Sequence, residues 1–81
     1  MKNLEQLACV INSHVDGYYK EDELVASSEP GFMGSHIAKR DNHANYIAGA
    51  KSAVAMLGYK ALFSDDRFPY AHIKTFVKIE D

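Results

Sequence analysis

The sequence predicts an α+β fold in which two amphipathic helices pack on a small antiparallel β-sheet with a C-terminal hairpin. Three observations carry that prediction. An alanine-rich stretch runs from Ser35 to Leu57 and closes at Gly58. Directly after it, Tyr59-Lys60-Ala61-Leu62-Phe63 alternates with a two-residue period, the signature of a half-buried strand. Near the amino terminus, Leu4, Leu7, Ala8, Ile11, Val15 and Tyr18 recur at three- and four-residue spacing, with Glu5, Gln6, Asn12, Ser13 and Asp16 between them, which describes one apolar face of a helix.

Taken in order, Asn3 followed three residues later by Gln6 has the form of a capping box and sets the start of the first helix. Asp16-Gly17 supplies its stop, because glycine adopts the left-handed conformation that ends helices at little steric cost. Tyr18 to Ser35 then reads as a short strand or a single helical turn near Leu24, followed by a loop with a turn at Glu29-Pro30-Gly31. Gly31-Phe32-Met33-Gly34 lies in that connection, either tucked onto the core or serving as a recognition loop. Ser35 caps the second helix, with Asp41 or Asn42 as alternative starts. Ala44, Ile47, Ala48, Val54 and Leu57 define its apolar face, and Gly49, Ala50, Ala53 and Ala55 make the neighbouring flank small. Small side chains let another backbone approach closely, either the sheet of the same molecule, which is the expectation here, or a symmetry mate. Ser64 to Pro69 is turn material, and Tyr70 to Ile79 alternates again, with Ala71, Ile73, Val77 and Ile79 on one face and His72, Lys74 and Lys78 on the other. A helix is the competing reading of that segment; the β-branched run Ile73, Thr75, Val77, Ile79 favours strand.

Eighty-one residues suit a single compact domain spanning 1–81, and a chain of this size buries only about 60% of the surface its unfolded form exposes. Nine basic against eleven acidic side chains leave a net charge of −2, too balanced to advertise nucleic acid or an acidic membrane as a partner. The lone Cys9 cannot form an intramolecular disulfide, which points to a reducing cytoplasm. Glu5 stands where a secretion signal needs its apolar centre, and no uncharged run approaches the roughly 20 residues that cross a bilayer.

Candidate chemistry is sparse. His36 and His43 on one continuous helix sit about 10.5 Å apart along its axis, too far to share an ion, and Cys9 and His14 fall on different sides of the first helix. A small enzyme or metal-binding domain would require His14, His36, His43 or His72 to meet a carboxylate or Cys9 through tertiary structure. Ser27-Ser28 has no nucleophile-elbow glycines, and Gly31 to Ser35 matches neither the Walker pattern nor the dinucleotide fingerprint. No cofactor is expected.

The leading expectation is a non-enzymatic cytoplasmic interaction protein, a regulator or inhibitor of the kind common among phage and mobile-element accessory genes, that binds another protein. Its candidate surface combines the acidic cluster Glu21, Asp22 and Glu23 with Tyr19, Tyr46 and Tyr70 as aromatic anchors, Phe32 and Met33 between their glycines, and Lys39 and Arg40. Tyr18 and Tyr59 are assigned to the core. The alternative is a nucleic-acid module using Lys39, Arg40, Asn42, Asn45 and Lys51, whose few positive charges would give weak, salt-sensitive binding. A homodimer is compatible with either.

Overall fold

The computed structural model of the chain describes residues 2–80; Met1 and Asp81, the ends of the expected domain, lie outside them. Helix α1 spans Lys2–Ser27, α2 spans Pro30–Met56, β1 spans Tyr59–Phe63 and β2 spans Ile73–Lys78. The architecture is α+β: two long antiparallel helices packed on a two-stranded antiparallel sheet, with α1 over β2 and α2 over β1. The C-terminal hairpin forms as expected, with β1 over the alternating run Tyr59–Phe63, while β2 occupies only Ile73–Lys78 of the segment Tyr70 to Ile79.

The helices extend further than the sequence suggests, and the reason is tertiary. Gly17 does not stop α1. A glycine inside a helix costs about 1 kcal/mol relative to alanine, but here α2 crosses so closely that a Cβ at position 17 would stand 2.6 Å from Nε2 of His43. The glycine therefore serves a close approach, and the helix runs on through residues 18–27 instead of giving way to the strand or single turn expected near Leu24. Lys2 is already helical, so Asn3 lies within the first turn and does not cap it.

The expected long loop reduces to Ser28 and Glu29. Glu29, with extended backbone (φ −66°, ψ 152°), is the N-cap of α2 and Pro30 opens the helix, where the missing proline N–H has no intrahelical partner to lose. Ser35, Asp41 and Asn42 are thus interior positions, and Gly31 to Gly34 form the first turns of α2 and not a recognition loop. At the other end Gly58 takes φ +90° and donates its N–H to the carbonyl of Ala55 at 3.0 Å. That is the left-handed terminator the sequence indicates.

In the sheet, Ala61 pairs with Phe76 and Leu62 with Thr75, but Phe63 pairs with Ile73. Lys74 is thus an extra residue in β2, a bulge that shifts the pleat by one. It turns Ile73 and Phe76, three positions apart, into the same core. Val77 and Ile79, assigned above to the core face, are displaced from it: Val77 lies opposite Lys60 and Ile79 is exposed.

The core comprises Ala8, Ile11, Val15, Ile47, Val54, Ile73 and Phe76. Every one of these lies in the first two thirds of α1, the second half of α2 or β2. The rest of the helical hairpin projects beyond the sheet, which gives dimensions of 49 × 22 × 21 Å. The radius of gyration is 14.3 Å, against about 11.7 Å for a compact domain of this length. At the base of the projection Asn12 clamps the start of β2: its Nδ2 donates to the Ile73 carbonyl (2.9 Å) and its Oδ1 accepts the Ile73 N–H (2.7 Å).

Candidate functional site

Beyond the sheet, α1 and α2 meet through polar side chains at three- and four-residue spacing: His14, Tyr18 and Glu21 from α1, His36, Arg40 and His43 from α2. The Nδ1 atoms of His14 and His43 are 2.8 Å apart, which requires one ring to donate its Nδ1 proton to the other. The His14 ring also stacks on Tyr46, with centroids 4.0 Å apart. Burial, and then the neighbouring His43, lower the pKa of His14 below the ordinary imidazole value. Burial, followed by the charge of Asp22, raises that of Tyr18.

One turn further out, Glu21 Oε2 and His36 Nδ1 are 2.6 Å apart, and the hydrogen bond from His36 lowers the Glu21 pKa. Asp22 accepts a hydrogen bond from Arg40 Nη1 at 2.9 Å. Two of the three cluster acids, assigned with Arg40 to an outward binding surface, therefore turn to α2 across the interhelical seam, Asp22 to Arg40 itself. Glu23 remains exposed and outside it. Among the residues proposed for nucleic acid, Lys39, Asn42 and Asn45 are exposed, whereas Lys51 Nζ lies 5.1 Å from the centre of the Phe63 ring.

The tyrosines divide differently from the expectation. Tyr19 and Tyr70, proposed as outward anchors, pack against the core. The Tyr19 hydroxyl donates to the Tyr70 carbonyl and accepts the Tyr70 N–H (3.1 Å), and the Arg67 guanidinium covers the Tyr19 ring at 4.5 Å. Tyr18 sits edge-on to Tyr70 at 4.8 Å. These contacts fasten the β1–β2 connection to α1. Tyr59 joins the core as expected. Tyr46 and, on the first turn of α2, Phe32 are exposed, and Met33 is half-buried.

Of the histidines considered for catalysis, two do meet carboxylates, His36 with Glu21 and His72 with Asp16 and Asp65, whereas the candidate nucleophiles stand apart from any imidazole. Cys9 is exposed on α1, beside a groove of about 360 Å³ bordered by Leu4, Ala8, Asn12 and Ile73. Ser27 Oγ turns back onto the carbonyl of Leu24. His72 is held between two carboxylates, Asp16 at 2.6 Å and Asp65 at 3.2 Å, a clamp between the connection and α1. Among the described residues, no hydroxyl or thiol is hydrogen-bonded to an imidazole ring, and no group of three or more histidine, cysteine or carboxylate side chains is placed to hold a metal ion.

The largest departure concerns α2. Its alanine-rich flank does not lie against the sheet: Ile47 and Val54 are buried and Ala50 packs beside them, but Ala48, Gly49, Ala53 and Ala55 are exposed. Two strands and one helix cover a single stripe of a helix and no more. Leu57, expected on the apolar face, is 71% exposed, and Met56 is 88% exposed. The exposed positions from Asn42 to Leu57 include no Asp, Glu, Lys or Arg. Among the described residues, no helix is long and apolar enough to cross a membrane. No protein-family model, curated protein or solved structure matches this chain.

Proposed function

We propose that the chain is a small non-enzymatic interaction protein, a regulator or inhibitor that acts by binding another protein, and that the outer face of α2 is where it binds. One observation carries the reading: the fully exposed positions of a span of sixteen residues, Asn42 to Leu57, carry only small, aromatic, aliphatic and uncharged polar side chains, its one lysine, Lys51, being partly buried with Nζ over the Phe63 ring. Solvated helix faces are ordinarily rich in Lys and Glu, while the centres of protein interfaces are depleted of them. The reading also accounts for the seam. Pairing Glu21 with His36 and Asp22 with Arg40 consumes charge inside the molecule and sets the helix register, which presents the outer face as a fixed surface. A regulator that works by occupying a partner's surface needs no assembled catalytic set.

The test is a photoreactive amino acid placed at Ser52, with a second chain carrying it at Lys20, exposed on α1. Irradiation in the native host should give protein adducts from position 52 and none from position 20. Absence of adducts at 52, or equal labelling at both positions, removes the reading.

A further inference from the structure

We propose that the open edge of β1, with the groove between it and α2, takes an extended acidic segment of a partner protein as an added strand. Ile79 donates to the Gly58 carbonyl at 2.8 Å, and from there the register gives the main-chain bonds with β2 to Lys60 and Leu62. The N–H and C=O groups of Tyr59, Ala61 and Phe63 therefore point away from β2. Among the described residues, no main-chain bond from another element reaches them.

The two edges of the sheet differ in this respect. On β2 the Asn12 amide takes up the outward N–H and C=O of Ile73, at 2.7 and 2.9 Å, and the bulge at Lys74 interrupts the pleat. Both are devices that close an edge to another chain. β1 carries neither an extra residue nor a proline. An edge left in that state is what an added strand uses: main-chain bonds supply affinity, and sites for alternate side chains supply selectivity.

The groove beside β1 defines the chemistry of those sites. It encloses about 380 Å³, with Val54 and Ala55 of α2 on one side and Ala61, Phe63 and Phe76 of the sheet on the other. No carboxylate borders it, and its two charged residues are Lys51 and Lys60. None of the ion pairs among the described residues involves either lysine. A strand laid on β1 alternates in step with it. Side chains opposite Ala61 enter the groove and are apolar; a side chain opposite Lys60 stands on the other face and is acidic. Lys51, its Nζ 5.1 Å from the centre of the Phe63 ring, offers a second cation at the groove. A second copy of this chain is the poorer occupant, because its own Lys51 and Lys60 would be set along the same seam as these. This edge is separate from the outer face of α2 and does not rest on it, so absence of adducts at position 52 leaves it standing.

The probe is a displayed pool of short peptides in which glutamate alternates with randomised apolar residues, selected on the full chain. An enriched peptide should slow amide hydrogen exchange at Tyr59, Ala61 and Phe63, and leave Lys60 and Leu62, already bonded to β2, little changed. N-methylation of the peptide amides along one edge should abolish binding, and along the other should not. Lys51→Glu with Lys60→Glu should weaken binding by roughly tenfold or more, with an unchanged circular dichroism spectrum showing that the fold is intact; lysine in place of the peptide's glutamates should do the same. No enriched peptide, protection away from the β1 edge, or an affinity that both charge reversals leave untouched overturns the proposal. So does a chain that protects the same amides without peptide, by pairing with its own copy.

Discussion

Along its length the helical hairpin changes what holds it together. Beside the sheet, α1 and α2 meet through Ile11, Val15, Ile47 and Val54, each 1% exposed or less. At the level of Val15 the histidines His14 and His43 meet. Further out Glu21 pairs with His36 and Asp22 with Arg40, on helix segments where Leu24, Val25, Met33 and Ile37 are no more than half-buried. Aliphatic contacts gain from leaving water wherever they are buried, about 25 cal/mol per Å², and they tolerate small shifts. Ion pairs and hydrogen bonds near solvent gain little net energy, but they are directional. The sheet-covered end therefore supplies stability, and the projecting end supplies alignment.

Five experiments would break or sharpen that division. The largest effect belongs to the aliphatic end: Ile11→Ala removes a side chain of 0% exposure and should cost about 2–5 kcal/mol in urea unfolding. A value below that of any substitution in the projecting end would reverse the assignment. Next comes Asn12→Ala, which leaves the Ile73 N–H and C=O without their partner and should cost about 1–3 kcal/mol, with accelerated amide exchange at Ile73 as the local signature.

The third experiment tests why Gly17 is a glycine. Gly17→Ala should destabilise the native chain by about 1 kcal/mol, because its methyl group displaces the His43 ring and breaks the bond to His14. In a His43→Ala background the same change should stabilise by about 1 kcal/mol, through helix propensity alone. Thermal unfolding of the four proteins of this cycle reads the reversal directly. If Gly17→Ala has one sign in both backgrounds, packing against His43 is not what keeps the glycine.

Smaller still is Asp22→Asn, which weakens one exposed pair with Arg40 and should change the unfolding midpoint by an amount equivalent to less than about 1 kcal/mol. The last is a direction of pH dependence. The folded-state pKa of His14 is lowered, so the unfolded chain binds protons that the folded chain refuses. This contribution to stability is present above about pH 6.5, the ordinary imidazole value, and is lost as pH falls through the lowered pKa. Glu21, also lowered, contributes stability above the ordinary carboxyl range that is lost on further acidification. Both predict weakening from neutral pH downward, and His14→Phe should remove the upper of the two losses. Stability that rises between pH 7 and pH 5 would contradict the sign.

The four elements were legible in unequal measure. The apolar spacing in the first helix identified Ala8, Ile11 and Val15, all buried, and Ile73 was assigned to the core by alternation. Phe76 was not, since a bulge at Lys74 breaks the period on which alternation depends. Of the candidate surface, Glu21, Asp22 and Arg40 were named from local charge, but their mutual pairing joins positions fifteen to eighteen residues apart that only the antiparallel hairpin brings together. Tyr19 and Tyr70 were read as free because a tyrosine's sequence neighbours say nothing about what accepts its hydroxyl proton.

What the polypeptide's own order of residues determined was local: the halt at Gly58, where only a residue without a side chain enters the left-handed region cheaply, the β-branched strand that follows the turn, and the proline fit to open a helix. Tertiary structure decided whether Gly17 would end a helix or accommodate one, which of the small flanks of α2 would be covered, and which charges would find partners. A conformational preference acts over a few residues and is worth a kilocalorie or so. Packing between helices and sheet sums many contacts across the chain, and where the two disagree the sum prevails.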